Sequence, residues 1–316
     1  MTVALALLAG AALVAVLMPR LLWRLHRTHL DPLVLIAGWV LSGVGVLGTT
    51  VVAVLLLLLP EHGIQGALVQ ALHGCWTAVT HGSPPRVEQL AGLAGSMALM
   101  AVGLRVALIG RRQTIRRRHA REQRLDILRL AGRSDDEQPP TLWLEHDRPL
   151  AFSLPGRRGL VVATEGLAEH LAPREVFAVL EHERAHVRGR HHLLLAAAEA
   201  LAWALPFLPL LRHASAALRD LVEFAADATA IRRCGARALH DALARVAGLD
   251  LPPTALAAGN QAVDLRLRRL ANPRPVHGST RRALGAVLAG VGSLIAPMAL
   301  AGLVFVSAVA VFCPAT

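Results

Sequence analysis

Long apolar segments without charged side chains dominate this chain. Segments 33–59 and 283–312 run for 27 and 30 residues without one. About 20 such residues, coiled as an α-helix, cross the roughly 30 Å hydrocarbon core of a bilayer. Both segments therefore predict transmembrane helices. An apolar fraction of 54% agrees with a membrane protein and is too high for a purely soluble enzyme.

Two shorter apolar segments predict further spans. Residues 2–18 are uncharged, and 90–110 contain one charge, Arg105, which we place near the end of its span, where it can reach the interface. A signal peptide is the alternative for the first, but no Lys or Arg precedes the apolar run and no small-residue cleavage site follows it. A buried soluble helix is the alternative for the second. The sequence thus predicts about four transmembrane helices: 2–18, 33–59 and 90–110 within residues 1–110, and one within 283–316.

The distribution of arginine predicts the orientation of these spans. Three arginines lie in 19–32 and seven in 111–124, whereas 61–89 has one arginine against two glutamates. Because basic residues are enriched on the cytoplasmic side of membranes, we expect 19–32 and everything from 111 to 282 in the cytoplasm. Both termini would lie outside, in a bacterial plasma membrane.

The same arginines account for the net charge of +11. Clustered beside a predicted span, they favour binding to anionic lipid over binding to nucleic acid, so the lipid bilayer is the expected partner. Of the three cysteines, Cys234 is expected to be a reduced thiol. Cys75 and Cys313 fall on the predicted outer face, and whether they form a disulfide is left open.

The residues with chemical potential lie on a predicted helix that begins at Pro173. His182, Glu183 and His186 form an HExxH pattern there, and a spacing of four puts both imidazoles on one helix face, able to share one Zn²⁺. Glu183 is then placed to act as the general base on a water molecule that the zinc has made more acidic. The alternative is a solvated, histidine-rich helix that matches the pattern by chance.

A second predicted helix, from an N-cap at Ser215 to Gly235, supplies two more acids. Glu223 and Asp227 are four residues apart and share a face. Catalytic zinc takes three protein ligands, so we predict Glu223 as the third ligand and Asp227 as the acid that orients a ligand histidine. Two surface acids are the alternative, but the apolar neighbours Phe224, Ala225, Ala226 and Ala228 indicate a buried environment.

The segment between these helices, 193–211, is apolar enough to tempt assignment as another span. A single crossing would separate Glu223 from the histidines, and two crossings would need about 40 residues where 36 are present. We therefore expect 193–211 to pack within the domain or, preferably, to contact the membrane as a kinked or re-entrant hairpin. His191 and His192 follow the motif closely but are not predicted as ligands.

Short β-like stretches at 141–144, 149–153 and 159–164 precede the motif helix. The predicted fold class is therefore mainly α: multi-pass transmembrane helices with an inserted cytoplasmic α+β zincin-like metallopeptidase domain at 111–282.

Three stretches of this sequence resemble the gluzincin membrane peptidases. Residues 150–191 look like that group's strand-turn-strand and HExxH region, 223–227 (EFAAD) resembles its ExxxD element, and 264–270 (DLRLRRL) resembles its Arg-x-x-Arg-Leu segment. The resemblance implies a zinc-dependent endopeptidase and places Arg266 near the site.

Three predicted spans before the motif, rather than two, favour the BlaR/MecR family, which senses beta-lactams. That family implies cleavage of a cytoplasmic winged-helix repressor of the BlaI/MecI type. We expect the stretch 159–164 to offer a strand edge on which the substrate backbone lies extended. Only three residues follow Cys313 and lysine is absent, so we expect no covalent beta-lactam sensing by a Ser-x-x-Lys site. The alternatives are an HtpX-type quality-control protease and a non-catalytic membrane receptor; a homo-oligomer is left open.

Overall fold

The computed structural model describes residues 2–26, 30–58, 87–135, 137–156, 159–248 and 260–272, with positions 285, 287–288, 291–292 and 295–303. Three long helices come first: α1 (Thr2–His26), α2 (Pro32–Leu58) and α3 (Val87–Ala131). Within the described residues, three helical stretches are long and apolar enough to cross a membrane: Val3–His26, Pro32–Leu57 and Gly92–Arg116.

Two of these helices run past the boundaries predicted from the sequence. Helix α1 continues through Pro19 and Arg20 to His26, and α3 continues through the arginine-rich segment to Ala131. The prediction stopped each helix where charge began, but arginine favours helix as strongly as leucine does. The predicted boundary at residue 110 therefore lies inside one helix, with Arg105 well before its end.

The predicted fourth span, 283–312, lies largely outside the described residues, as do Cys75 and Cys313. Positions 295–303 are helical and pack against α1. Their contact is close at Gly10, where a Cβ atom would overlap the carbonyl oxygen of Pro297. A helix–helix approach of this kind requires a small residue.

Along the chain, a four-stranded sheet comes between the apolar helices and the motif helix. Its strands are β1 (Gly132–Ser134), β2 (Thr141–Leu144), β3 (Ala151–Leu154) and β4 (Leu160–Thr164), in the order β1-β2-β4-β3. β2 and β4 are parallel and the other pairs antiparallel. The three predicted strands are present within one or two residues, and β1 was missed.

The expectation that 159–164 forms a sheet edge is wrong. β4 pairs on both sides, and four of its five residues are buried, as a continuous apolar run on a central strand should be. The strands at the two edges are β1 and β3, and β3 packs on the motif helix.

The remaining helices are α4 (Glu165–His170), α5 (Pro173–Arg188), α6 (His191–Ala204), α7 (Pro209–Cys234), α8 (Ala236–Ala247) and α9 (Asn260–Ala271). α5 carries the HExxH residues and packs against α7, α8 and β3. α7 begins at Pro209 and not at the predicted N-cap Ser215, since proline suits the first helical turn. It ends before Gly235, as predicted, with Gly235 at φ 83°.

Replacing Gly166 by alanine is expected to destabilise the sheet side of this domain. Helix α4 passes so close to the preceding loop that a Cβ atom at Gly166 would overlap the carbonyl oxygen of Asp147, and backbone cannot step aside as a side chain can. We expect a loss of about 1–3 kcal/mol, typical of overpacking, measured as a lower melting temperature of the solubilised protein. Gly248→Ala is the matched control, because a Cβ there meets nothing closer than 3.4 Å. Equal melting temperatures for the two variants would contradict the close packing at Gly166.

Candidate active site

The motif helix and α7 bring three potential metal ligands together. On α5, the Nε2 atoms of His182 and His186 lie 3.2 Å apart, because residues one turn apart share a helix face. From α7, the Glu223 carboxylate oxygens lie 3.3 Å from Nε2 of His182 and 3.4 Å from Nε2 of His186. These residues form a cluster in which one donor atom from each can face one ion.

The spacing of these donors fits zinc. Zn²⁺ binds imidazole nitrogen and carboxylate oxygen at about 2.0–2.2 Å, so neighbouring donors of a tetrahedral site stand about 3.3–3.5 Å apart. The two imidazole nitrogens are 3.2 Å apart, and each lies 3.3–3.4 Å from a Glu223 oxygen, Oε2 for His182 and Oε1 for His186, so the spacings are close to those edges. Three protein donors leave one tetrahedral position for a water molecule or substrate, which is the arrangement of catalytic rather than structural zinc sites.

Asp227 contacts His182 on the ring nitrogen that faces away from the cluster. Its Oδ1 lies 2.8 Å from Nδ1 of His182, and its side chain is 7% exposed. The imidazole Nδ1–H donates to this carboxylate, which fixes the ring and directs Nε2 at the cluster. Glu223 and Asp227 reach the same site because they lie on adjacent turns of one face of α7.

Arg266 reaches this site from α9. Its Nε and Nη2 donate to the two carboxylate oxygens of Asp227 at 2.9 and 2.7 Å, and its Nη1 lies 3.2 Å from Glu223. A bidentate guanidinium of this kind holds a carboxylate in one orientation. The sequence placed Arg266 near the site by resemblance, and the structure adds the contacts through which it acts.

His191 contacts the site, which the sequence did not settle. Arg190 adopts the left-handed conformation at φ 48°, and this sharp turn sends His191 back towards α5. Its Nδ1 lies 3.0 Å from Nδ1 of His186, so His191 stands behind His186 as Asp227 stands behind His182. Since arginine rarely takes this conformation, local sequence gave no signal for the turn.

Charge is distributed unevenly among these groups. Burial by itself disfavours the charged form of His182, but hydrogen bonds with Asp227 and Glu223 outweigh it and raise its pKa to about 10. Burial, with the positive charge of His182 beside it, lowers the pKa of His186 to about 3. Burial opposes ionisation of Glu223, but its hydrogen bond with His182 and the nearby positive charges lower its pKa to about 2. The cluster therefore offers a carboxylate and a neutral imidazole, and metal binding would displace the proton of His182.

Glu183 lies beside this cluster but is not part of it. It lines a cavity of about 420 Å³ together with His182, His186 and Glu223, and its carboxylate accepts a hydrogen bond from the Ser153 hydroxyl on β3. Burial raises its pKa, which makes the carboxylate a better proton acceptor. The far wall of the cavity is apolar and comes mainly from α4, α5 and α8: Leu167, Val179, Leu239, Ala242, Leu243 and Val246.

A comparison with protein families bears on this site. Residues 115–247 match the model of peptidase family M48. The match supports an M48 metallopeptidase. It runs from the end of α3 through α8 and so contains the HExxH residues, Glu223 and Asp227, with Arg266 beyond it. No solved structure matches the chain. The M48 domain and the three apolar helices together support a membrane-associated metallopeptidase. The BlaR/MecR type is narrower than this match and stays a prediction.

Proposed function

We propose that this protein is a zinc endopeptidase whose metal ligands are His182, His186 and Glu223 and whose general base is Glu183. The observation that carries the proposal is the cluster of two imidazole nitrogens and the Glu223 carboxylate, with N–N and N–O distances of 3.2–3.4 Å, next to the half-buried Glu183 carboxylate, which takes no part in it. M48 peptidases depend on a metal, which agrees with this cluster.

The residues around the cluster divide the work of peptide hydrolysis. Bound zinc would act as a Lewis acid that polarises the scissile carbonyl and makes a water molecule more acidic. Glu183 accepts the proton of the attacking water and passes it to the leaving amine. Asp227 and His191 keep the two imidazoles in place, and Arg266 keeps Asp227 and Glu223 ionised by its positive charge.

The substrate backbone has a free strand edge on which to lie. Among the strands of the described residues, β3 pairs only with β4, and Pro149, Ala151, Phe152 and Ser153 line the cavity beside Glu183. A peptide that adds to this edge would place its scissile bond between the strand and the metal ligands. The apolar wall beyond favours a large apolar side chain next to that bond. β3 thus takes the role expected for 159–164.

We further propose that the site faces the cytoplasm and that its substrate is a winged-helix transcriptional repressor, cleaved in a response to cell-envelope or antibiotic stress. The arginine-rich segment after the third apolar stretch supports this orientation, and the resemblance to the BlaR/MecR group supports the substrate. HtpX-type cleavage of damaged membrane proteins is the second candidate, favoured by the closeness of the site to apolar helices α1 and α2.

Metal content provides the direct test of the site. Wild-type protein, purified and dialysed, is expected to retain one zinc ion per chain. Glu223→Gln should bind zinc at least about 100-fold more weakly, because losing a ligand costs more than losing an orienting partner. Glu165→Gln is the matched control, since Glu165 pairs with Arg133 in solvent. Mass-spectrometric metal analysis decides: wild type without metal, or Glu223→Gln with wild-type affinity, would contradict the proposed ligand set.

A further inference from the structure

Helices α6 and α7 form a hairpin whose arms are shorter than a full membrane crossing. α6 has 14 residues and rises about 21 Å, and the part of α7 before Glu223 has the same length. Pro206 in the turn 205–208 and Pro209 at the start of α7 restrict the backbone between the two helices. Two full crossings of roughly 30 Å each are excluded by these lengths, whereas a path to the middle of the bilayer and back fits them.

The tip of this hairpin packs against the middle of the candidate spans. Ala204, Leu205 and Leu211 form a cluster with Leu47 of α2 and with Val102, Val106 and Ile109 of α3. A Cβ at Gly43 would lie 3.3 Å from Cδ2 of Leu211. Gly43 and Leu47 fall near the centre of the span Pro32–Leu57, which places the tip at the same depth.

The open end of the hairpin lies level with the end of α1. The His26 imidazole is 3.4 Å from Asp220 of α7, and its ring packs against Phe224. Arg269 of α9 donates to the His26 carbonyl oxygen at 2.9 Å and stacks over Phe224 at 3.9 Å. Since His26 ends the first candidate span, α7 leaves the span level at about Asp220, one turn before Glu223.

Arg105 provides a polar contact at the tip. It lies near the centre of the candidate span Gly92–Arg116, whereas in the span 90–110 expected from the sequence it lies nearer one end. Its Nη2 donates to the carbonyl oxygen of Trp203 at 3.3 Å. Trp203 belongs to the last turn of α6, where carbonyl groups lack helical partners and the helix dipole is negative. A charged group deep in a span needs such a partner.

The outer surface of the tip is apolar and exposed. Trp203 is 70% and Phe207 69% exposed, and next to them α3 exposes Met100 and Leu104 at 73% and 61%. These large apolar side chains cover the outer surface of the hairpin tip and of a helix apolar enough to span a membrane, with the exposed Arg105 and Arg212 beside them. Lipid acyl chains suit this face, because in water it would be a large unfavourable surface.

We propose that α6 and the first half of α7 form a re-entrant membrane hairpin, whose tip lies in acyl chains near the bilayer centre, pinned there by Arg105. α7 then runs as one rigid helix from the lipid to Glu223 and Asp227. The metal site is held close to the membrane surface, about one turn beyond the level of His26 at the end of α1. This inference rests on the candidate spans crossing the membrane and is independent of peptidase activity.

Spin labels test the depth of the tip. In full-length protein without its three cysteines, reconstituted in phosphatidylcholine nanodiscs, Phe207→Cys is labelled with a nitroxide, and its accessibility to oxygen and to a water-soluble nickel chelate is measured. Met100→Cys on α3 is the control at membrane depth, and Arg237→Cys, with a side chain 95% exposed on α8, is the control in water. A single symmetric peak at the wild-type volume in size-exclusion chromatography of each variant shows that the fold is intact.

We expect the label at position 207 to match that at 100: high exposure to oxygen and little to the nickel chelate. Exposure to the chelate as high as at position 237 would overturn the proposal, because the tip would then lie in water. Shielding from both reagents would also overturn it, because a protein partner and not lipid would then cover the tip. The outcome does not depend on catalysis, so failure of the peptidase assignment would leave it readable.

Discussion

Glu183→Gln is expected to lower kcat/KM for peptide hydrolysis by about 10²–10⁴-fold while metal content stays at the wild-type level. Glutamine has the same size and can keep a hydrogen bond with Ser153, but it cannot accept the proton of the attacking water. Glu183 lies outside the donor cluster, so the metal should remain. Cleavage of a fluorogenic peptide with a large apolar residue, measured alongside zinc content, separates the two effects.

Glu169→Gln is the matched control, since it makes the same chemical change on an exposed turn of α4 and should hydrolyse peptides as the wild type does. Undiminished hydrolysis by Glu183→Gln would exclude Glu183 as the base. Loss of zinc together with activity would instead assign Glu183 to metal binding.

The same variant identifies the substrate class, because a protein that binds but does not cleave retains what it binds. Glu183→Gln isolated from cells is expected to hold one dominant partner, a small winged-helix repressor. Many different membrane proteins in its place would favour the quality-control alternative. No retained protein, with zinc bound and wild type active on peptides, would contradict both substrate proposals.

The parts of the site that could be predicted from the sequence are those set by helix geometry. His182 with His186, and Glu223 with Asp227, are each four residues apart, and such pairs lie on one face wherever a helix forms. That both faces meet was inferred from the number of ligands zinc needs and from topology. The structure brings the faces together through the packing of α5 on α7.

Other features depend on long-range packing that local pattern does not encode. β4 became a central strand because β2 pairs with it in parallel, and this moved the free edge to β3. His191 faces His186 because Arg190 takes a left-handed conformation that arginine seldom adopts. The sequence placed Arg105 near the end of its helix because that helix was expected to end at residue 110, whereas α3 continues to Ala131. In each case the local sequence predicted the strand or helix correctly but not the residues that it packs against.

Glu181 is the clearest example of a residue whose structural role the HExxH pattern does not predict. It directly precedes His182, yet it points to a different side of α5, about 100° further round the helix, and is 1% exposed. Its carboxylate lies 3.2 Å from Arg184, 3.0 Å from Arg188 and 3.0 Å from Arg233 of α7. Arg184 also donates to the Thr141 hydroxyl on β2 at 3.0 Å and pairs with Glu137. One buried carboxylate thus joins the motif helix to α7 and, through Arg184, to the sheet.

Glu181→Ala is therefore expected to destabilise the M48 domain by about 3–5 kcal/mol, the usual cost of removing one member of a buried ion pair. Most of this arises at Arg184, whose side chain is 5% exposed, because solvent screens the half-exposed Arg233. The melting temperature should fall by about 6–20 °C, measured by the thermal loss of peptidase activity. Asp241→Ala is the control: it removes a carboxylate from Arg237, which is 95% exposed, and should melt as the wild type does. Equal melting temperatures for both variants would mean that the ion pairs of Glu181 do not stabilise the packing of α5 on α7 and the sheet. A fall for Glu181→Ala alone would show that the stability of the metal site depends on the buried back of its own motif helix.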